Sequence, residues 1–153
     1  MGSTTTAFPT SEKAELPQGL HNFTTTTGNV FKFALIKVTP TGVYGAASTN
    51  YSNITGNSDE VTGTGYSAGG FAWTAAQNTT PASSGTQAFW SWSVNPSWTA
   101  ATFATQGGMA YNSTNGNRAV YVGDFGGTQS VSAGTFTLVL PANGSGTSIL
   151  QAN

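Results

Sequence analysis

Apolar and polar positions alternate through residues 30–38. Phe31, Phe33 and Leu35 fall on one side, and Val30, Lys32, Ala34 and Ile36 on the other. A period of two predicts a strand, and Pro40 and Gly42 end it. The same period recurs at 71–74, with Phe71 and Trp73 on one face, and at 88–94, where Ala88, Trp90, Trp92 and Val94 line one face. Extended patterns follow at 98–105 and 108–112. Asn115-Gly116 is a strong hairpin dipeptide, so 113–117 predicts a loop and 118–125 its partner strand. Gly126 to Gly134 reads as a further turn. Phe136, Leu138 and Leu140 alternate with Thr135, Thr137 and Val139, and 148–151 reads as a last edge strand. Residues 44–58 and 77–85 read as polar loop and turn regions.

The first residues differ. Between Pro9 and Gly19 lies the one helical candidate, with Thr10 or Ser11 as cap, Glu12 in the first turn and Pro17 as the stop. Short strands with regular turn signals predict an all-β fold, a single antiparallel β-sandwich of jelly-roll-like form. The expected organisation is an N-terminal arm, residues 1–23, followed by the sandwich domain, residues 24–153. Phe31, Phe33, Leu35, Trp90, Trp92, Phe136 and Leu138 are the expected core.

Composition narrows the function classes. The 153 residues carry Lys+Arg 4, Asp+Glu 5 and His 1, for a formal net charge of -1. Four cations cannot form the basic stripe that a nucleic-acid binder needs. With no cysteine there is no disulfide frame, thiolate metal site or cysteine nucleophile. Aromatic residues make up 12% of the chain, which argues against disorder. No apolar run is long enough to cross a membrane as a helix. The polarity comes from Thr, Ser, Asn, Gln and Gly. Such a surface can be covered by a neighbour without stranding charges.

Candidate chemistry is sparse. His21 could in principle join Asp59 or Asp124 in a Ser–His–Asp system, but no G-x-S-x-G elbow marks a nucleophile. The alternative is a histidine hydrogen-bonded where the arm meets the sandwich. Asp59 and Glu60 are adjacent and point apart on an extended chain, while Glu12 and Glu15 could share one face of a short exposed turn. These carboxylates read as solvated or locally capping. Asp124-Phe125-Gly126 lacks every companion of the kinase motif it spells. No catalytic residue, metal ligand or cofactor is assigned. Trp73, Trp90, Trp92 and Trp98, with Tyr51 and Tyr66, read as core first, and then as a protein interface or a sugar platform.

Ala7-Phe8-Pro9-Thr10-Ser11, Gly19-Leu20-His21-Asn22-Phe23 and Phe31-Lys32-Phe33-Ala34-Leu35 are the first of several stretches that, in order, resemble a family of small tailed-bacteriophage virion proteins of the head decoration or cement type. Glu60-Val61-Thr62-Gly63-Thr64-Gly65-Tyr66-Ser67-Ala68-Gly69-Gly70 resembles a recurrent glycine-rich turn of that family. Trp98-Thr99-Ala100-Ala101-Thr102-Phe103, Tyr111-Asn112-Ser113-Thr114, Val122-Gly123-Asp124-Phe125-Gly126-Gly127 and Gly134-Thr135-Phe136-Thr137-Leu138 complete the set. Thr105-Gln106-Gly107 departs from the pattern, standing where the family often has a basic residue.

The resemblance implies a non-enzymatic role on the capsid surface, after synthesis in the host cytoplasm. It implies the major capsid protein and copies of the chain itself as partners, in a homo-oligomer for which a trimer is the guess, with no nucleic acid and no membrane. A tail fibre, tip or baseplate module binding a receptor or glycan is the alternative. A small hydrolase or polysaccharide-binding module is a further rival. The expected partner contacts are Phe8, Pro9, Glu12, Lys13, Leu16 and Leu20 of the arm. That segment is expected to reach other subunits rather than complete its own domain.

Overall fold

The stretch around Phe31 forms an inner strand of a four-stranded antiparallel sheet. The computed structural model describes residues 1–152. In chain order its elements are β1 (Ser3–Thr4), α1 (Thr10–Glu15), β2 (Phe31–Lys37), β3 (Val43–Tyr44), α2 (Ser52–Gly56), β4 (Phe71–Trp73), β5 (Ala82–Ser84), β6 (Gln87–Trp90), β7 (Ser97–Asn112), β8 (Arg118–Thr137) and β9 (Leu150–Ala152). The large sheet runs β4-β2-β7-β8, a smaller one β5-β6-β9, and β1 pairs with β3 in parallel. The fold is all-β, as the alternation predicted.

Both faces of the large sheet are covered around β2. Phe31, Phe33 and Leu35 enter an aromatic cluster with Trp73, Trp90, Trp92, Trp98, Phe103 and Leu150. Ala34 and Ile36, one residue out of phase, enter a second cluster with Tyr44, Ile54, Met109, Tyr111, Ala119 and Val122. The clean alternation of β2 therefore separates two cores, and only Lys32 and Lys37 keep partial exposure within it. Of the expected core, Phe31, Phe33, Leu35, Trp90 and Trp92 are buried, while Phe136 and Leu138 pack half-buried at the edge.

The 126–134 turn is not a reversal. β8 runs straight through it, and the glycines serve as bulges. Thr105 pairs with Gln129 and Gly107 with Asp124, so β8 carries extra residues over 125–128. Gly126 and Gly127 take φ values of 73° and 147° there, which glycine tolerates. Further on, Ala101 pairs with Gly134 and Phe103 with Val131, leaving one extra residue on β8. Ala133 sits in that interval with φ 49°. The 44–58 region is likewise no bare loop, since α2 forms within it and buries Ile54 against the second core. α1 occupies the expected helical stretch, but Pro9 precedes it and no side chain caps it, contrary to the expectation for Thr10 or Ser11.

The arm is built into the fold and helps complete its own domain, where the expectation was a segment that reaches other subunits. Gly2, Ser3 and Thr5 donate backbone hydrogen bonds to Pro40, Gly42 and Tyr44. Ala7 and Val122 exchange both backbone bonds, covering the outer edge of β8 at that point. The Thr10 N–H bonds the Ala46 carbonyl, and Phe8 and Phe23 pack against the aromatic core.

Candidate functional site

Two features stand out where the arm meets the sheets: an apolar groove and a buried ionic cluster. The groove encloses about 510 Å³. Phe8, Leu16 and Phe23 of the arm, Phe89 and Trp90 of β6, and Leu150 of β9 form its apolar walls. The Trp90 indole N–H is used internally, donating to the Thr79 carbonyl at 2.7 Å and the Phe23 carbonyl at 3.1 Å. The Gln151 amide at the wall is engaged too, with Gln87 and the Ser148 carbonyl. Lys13 is the charged residue of the lining, and no ion pair or hydrogen bond holds its ammonium among the described residues.

The ionic cluster lies behind α1. His21 Nε2 is 2.7 Å from Glu15 Oε2 and 2.8 Å from Glu12 Oε2, all three side chains being buried. Arg118 Nη1 donates to Glu15 Oε1 at 2.7 Å. On the other side of the ring, Asn112 Nδ2 lies 3.0 Å from His21 Nδ1. The amide orientation is fixed from both ends. Asn112 Oδ1 accepts the backbone N–H groups of Thr114 and Asn115, and Nδ2 donates to Asn29 Oδ1. That oxygen in turn accepts the Asn22 N–H. Nδ1 of His21 therefore accepts, and the ring proton sits on Nε2, between the carboxylates.

One proton cannot serve both acids. It goes to Glu15, and the Glu12 oxygens are left buried without a regular hydrogen-bond partner. Burial pushes the Glu12 carboxyl above the ordinary carboxylate range, although His21 pulls the other way. Burial alone would lower His21, but the two acids outweigh it and raise it. The pair thus keeps its second proton to higher pH than either group would in water. The cluster closes as a neutral unit, with Glu15 balanced by Arg118.

Glu12, Glu15 and His21 are the donor types a divalent cation takes. The surroundings do not fit one. A metal on Nε2 would leave Nδ1 protonated and seeking an acceptor, yet Nδ1 faces an amide N–H. The N···O separations of 2.7 and 2.8 Å are also hydrogen-bond distances, shorter than roughly 3 Å between two ligands of one ion. The arrangement is a hydrogen-bonded joint between arm and hairpin.

Asp59 and Glu60 are also turned inward and bonded to distant parts of the chain, which corrects their reading as solvated or locally capping groups, whereas Asp124 is exposed and caps locally as expected. Asp59 is fully buried and accepts from the Thr41 and Gly42 N–H groups, the Tyr44 hydroxyl and Lys37. Burial opposes its ionisation, but these donors together hold its carboxyl well below the usual range. Tyr44 is pushed up to about 12 by burial and by Asp59. Glu60 accepts from the hydroxyls of Tyr51 and Tyr66 and from the Gly69 N–H. That bonding explains the Glu60–Gly70 stretch: the carboxylate pins the glycine turn to the sheet. Asp124 accepts the Gly126 N–H within the bulge.

Of the six expected partner residues, Phe8, Lys13 and Leu16 line the groove, with Leu16 44% exposed. Glu12 and Pro9 are buried, so neither can meet a partner in this conformation, and Leu20 is half-buried outside the groove. The residues that sequence reasoning missed are Arg118 and Asn112, which lie 103 and 91 positions from Glu15 and His21, the groups they hold. The i, i+3 spacing of Glu12 and Glu15 with a nearby histidine was the available signal. His21 itself sits at the arm–hairpin junction. Comparison with protein-family models, curated proteins and solved structures finds no match.

Proposed function

We propose that this chain is a non-enzymatic structural protein of a bacteriophage virion, a capsid decoration or cement protein that binds the major capsid protein and copies of itself. The ordered resemblance across residues 7–142 motivates the reading. The observation that carries it is the disposition of charge. Glu12, Glu15, His21, Lys37, Asp59, Glu60 and Arg118 are bonded to groups of their own chain. The outer surface is left mainly to hydroxyls, amides and apolar patches, with Lys13 and Asp124 as its exposed charges outside these pairs. Such a surface is covered by a neighbour at small desolvation cost, which suits a protein whose task is to sit on a shell.

The alternative is a tail module that grips a receptor or glycan with exposed aromatics. Trp73 and Trp98, the rings it would need outside, are 0% and 6% exposed, so the aromatic residues lend it no support. Electron microscopy of virions carrying a labelled copy tests the proposal. Label spread over the head surface is the expected result. Label at the tail tip, or none on the particle, would overturn it.

A further inference from the structure

We infer that the groove between the arm and the small sheet receives an extended apolar segment of a partner protein, with a carboxylate of that segment pairing with Lys13. The inference deepens the docking role proposed above and rests on it. Three observations point to this occupant. The walls are apolar, and the polar groups on them, the Trp90 indole N–H and the Gln151 amide, are already satisfied within the chain. An occupant therefore gains by burying apolar side chains rather than by hydrogen-bonding to the walls.

Lys13 supplies the second observation. Lys37 and Arg118 are held by Asp59 and Glu15, whereas Lys13 has no counter-ion among the described residues and stands at the groove. A cation beside an apolar channel selects an apolar ligand that carries one anion. The third observation separates a protein segment from a free amphiphile. The groove spans β5, β6 and β9, and its outer limits are β5 and β9, the two edge strands of the small sheet, each paired on one side only among the described residues. Their outer backbone groups can bond an added strand, for which an acyl chain has no use.

The test is selection from a displayed library of eight-residue peptides with apolar and threonine positions and one position fixed as aspartate or asparagine. Purified full-length chain is the bait, alongside Lys13→Met and Leu16→Asp, both on exposed side chains and each checked for native circular dichroism. The expected result is at least tenfold enrichment of aspartate over asparagine peptides on the wild type. Lys13→Met should lose that preference while still selecting apolar peptides, and Leu16→Asp should select none. Equal enrichment of both peptide classes on the wild type, no enrichment over Leu16→Asp, or tight binding of decanoate without peptide selection would overturn the inference. The virion reading is scored separately by the labelled-particle images. Peptide selection with no label on particles would sink that reading and leave the groove as a peptide site.

Discussion

The indole rings of Trp73 and Trp92 lie parallel, 4.1 Å apart with an interplanar angle of 4°. Trp73 comes from β4 at the edge of the large sheet, and Trp92 follows β6. The stack therefore ties the small sheet's connection to the large sheet. Trp73 donates its N–H to the Val94 carbonyl, whereas the Trp92 N–H is buried without a partner. Trp92→Ala is expected to cost about 3–5 kcal/mol, from lost burial and the cavity left behind. Trp92→Phe should cost much less, because it keeps an aromatic ring and removes the orphan donor. Urea denaturation measures both. A loss below about 1 kcal/mol for the alanine variant would show that the ring is not part of the core.

The His21–Glu12 pair predicts a pH dependence of definite sign. Both groups have folded-state pKa values raised above their ordinary 6.5 and 4.5. A raised pKa contributes stability fully below the unfolded value and loses it as pH rises through the folded value. The joint should thus hold firmly in weak acid and loosen above neutrality, when Glu12 and Glu15 are both charged beside a neutral ring. Melting temperature is expected to fall between about pH 6 and pH 9, and His21→Gln should flatten that decline. A melting temperature that rises over this range would contradict the proton placement.

Asp59 gives the opposite sign. Its folded pKa is depressed, so its contribution is present above the ordinary value of 3.8 and fades as pH falls through the folded one. Asp59→Asn keeps the shape but puts an amide N–H against a crowd of donors. It is expected to cost about 2–4 kcal/mol near neutral pH and to make the variant less sensitive to acid than the wild type. Thermal melts of both proteins at several pH values decide it. A cost under about 0.5 kcal/mol would mean the carboxylate is dispensable to the 37–44 turn.

The legible parts of the fold were those in which local pattern and final environment agree. The alternation of Phe31, Phe33 and Leu35 marked β2 because one face meets a ring-filled core. Asn115-Gly116 marked the β7–β8 hairpin because only a tight turn suits it. The 126–134 stretch was misread because glycine admits both a reversal and a bulge, and the choice is made by pairing with residues 97–105, far away in sequence. The carboxylates were misread for a related reason. Glu12 and Asp59 have no local feature that announces burial, and the groups around them, His21 beside Glu12 and the Thr41–Gly42 turn bonded to Asp59, are brought there by tertiary contacts. Lys13 and Leu16 were legible as exposed side chains because an arm rich in charge and isolated apolar residues is a local property.

Backbone strain at Ala133 supports a further prediction. This residue is held at φ 49°, a left-handed conformation, as the extra residue opposite the pair Ala101–Phe103. Its side chain is exposed, so a change there acts through the backbone. Ala133→Gly is expected to stabilise the chain by about 0.5–1 kcal/mol, since relief of the strain outweighs the added freedom of the unfolded state. Ala133→Val should destabilise it by a similar or larger amount. Paired denaturation curves in which glycine is the less stable of the two would refute the bulge assignment.

The last prediction concerns the arm. Its hydrogen bonds to Pro40, Gly42, Tyr44 and Ala46 and its exchange with Val122 make it structural. Removing residues 1–18 would strip Glu12 and Glu15 from His21 and Arg118, leaving the Arg118 guanidinium half-buried without its acid. It would also uncover the β8 edge at Val122, a 0% exposed member of the second core. Solvent screening of the half-exposed Arg118 brings its loss below the about 3–5 kcal/mol of a fully buried pair, but the arm's backbone bonds and packing are lost with it, against the roughly 5–15 kcal/mol that holds a domain folded. The truncated chain is therefore expected to melt far below the full-length protein or to fail to fold. Leu16→Asp, which changes only an exposed side chain of the same arm, should stay within about 0.5 kcal/mol of wild type. Calorimetry on the two proteins separates the roles. If the truncated chain melts at the wild-type temperature, the arm's contacts with its own domain contribute nothing, and its purpose lies wholly with a partner.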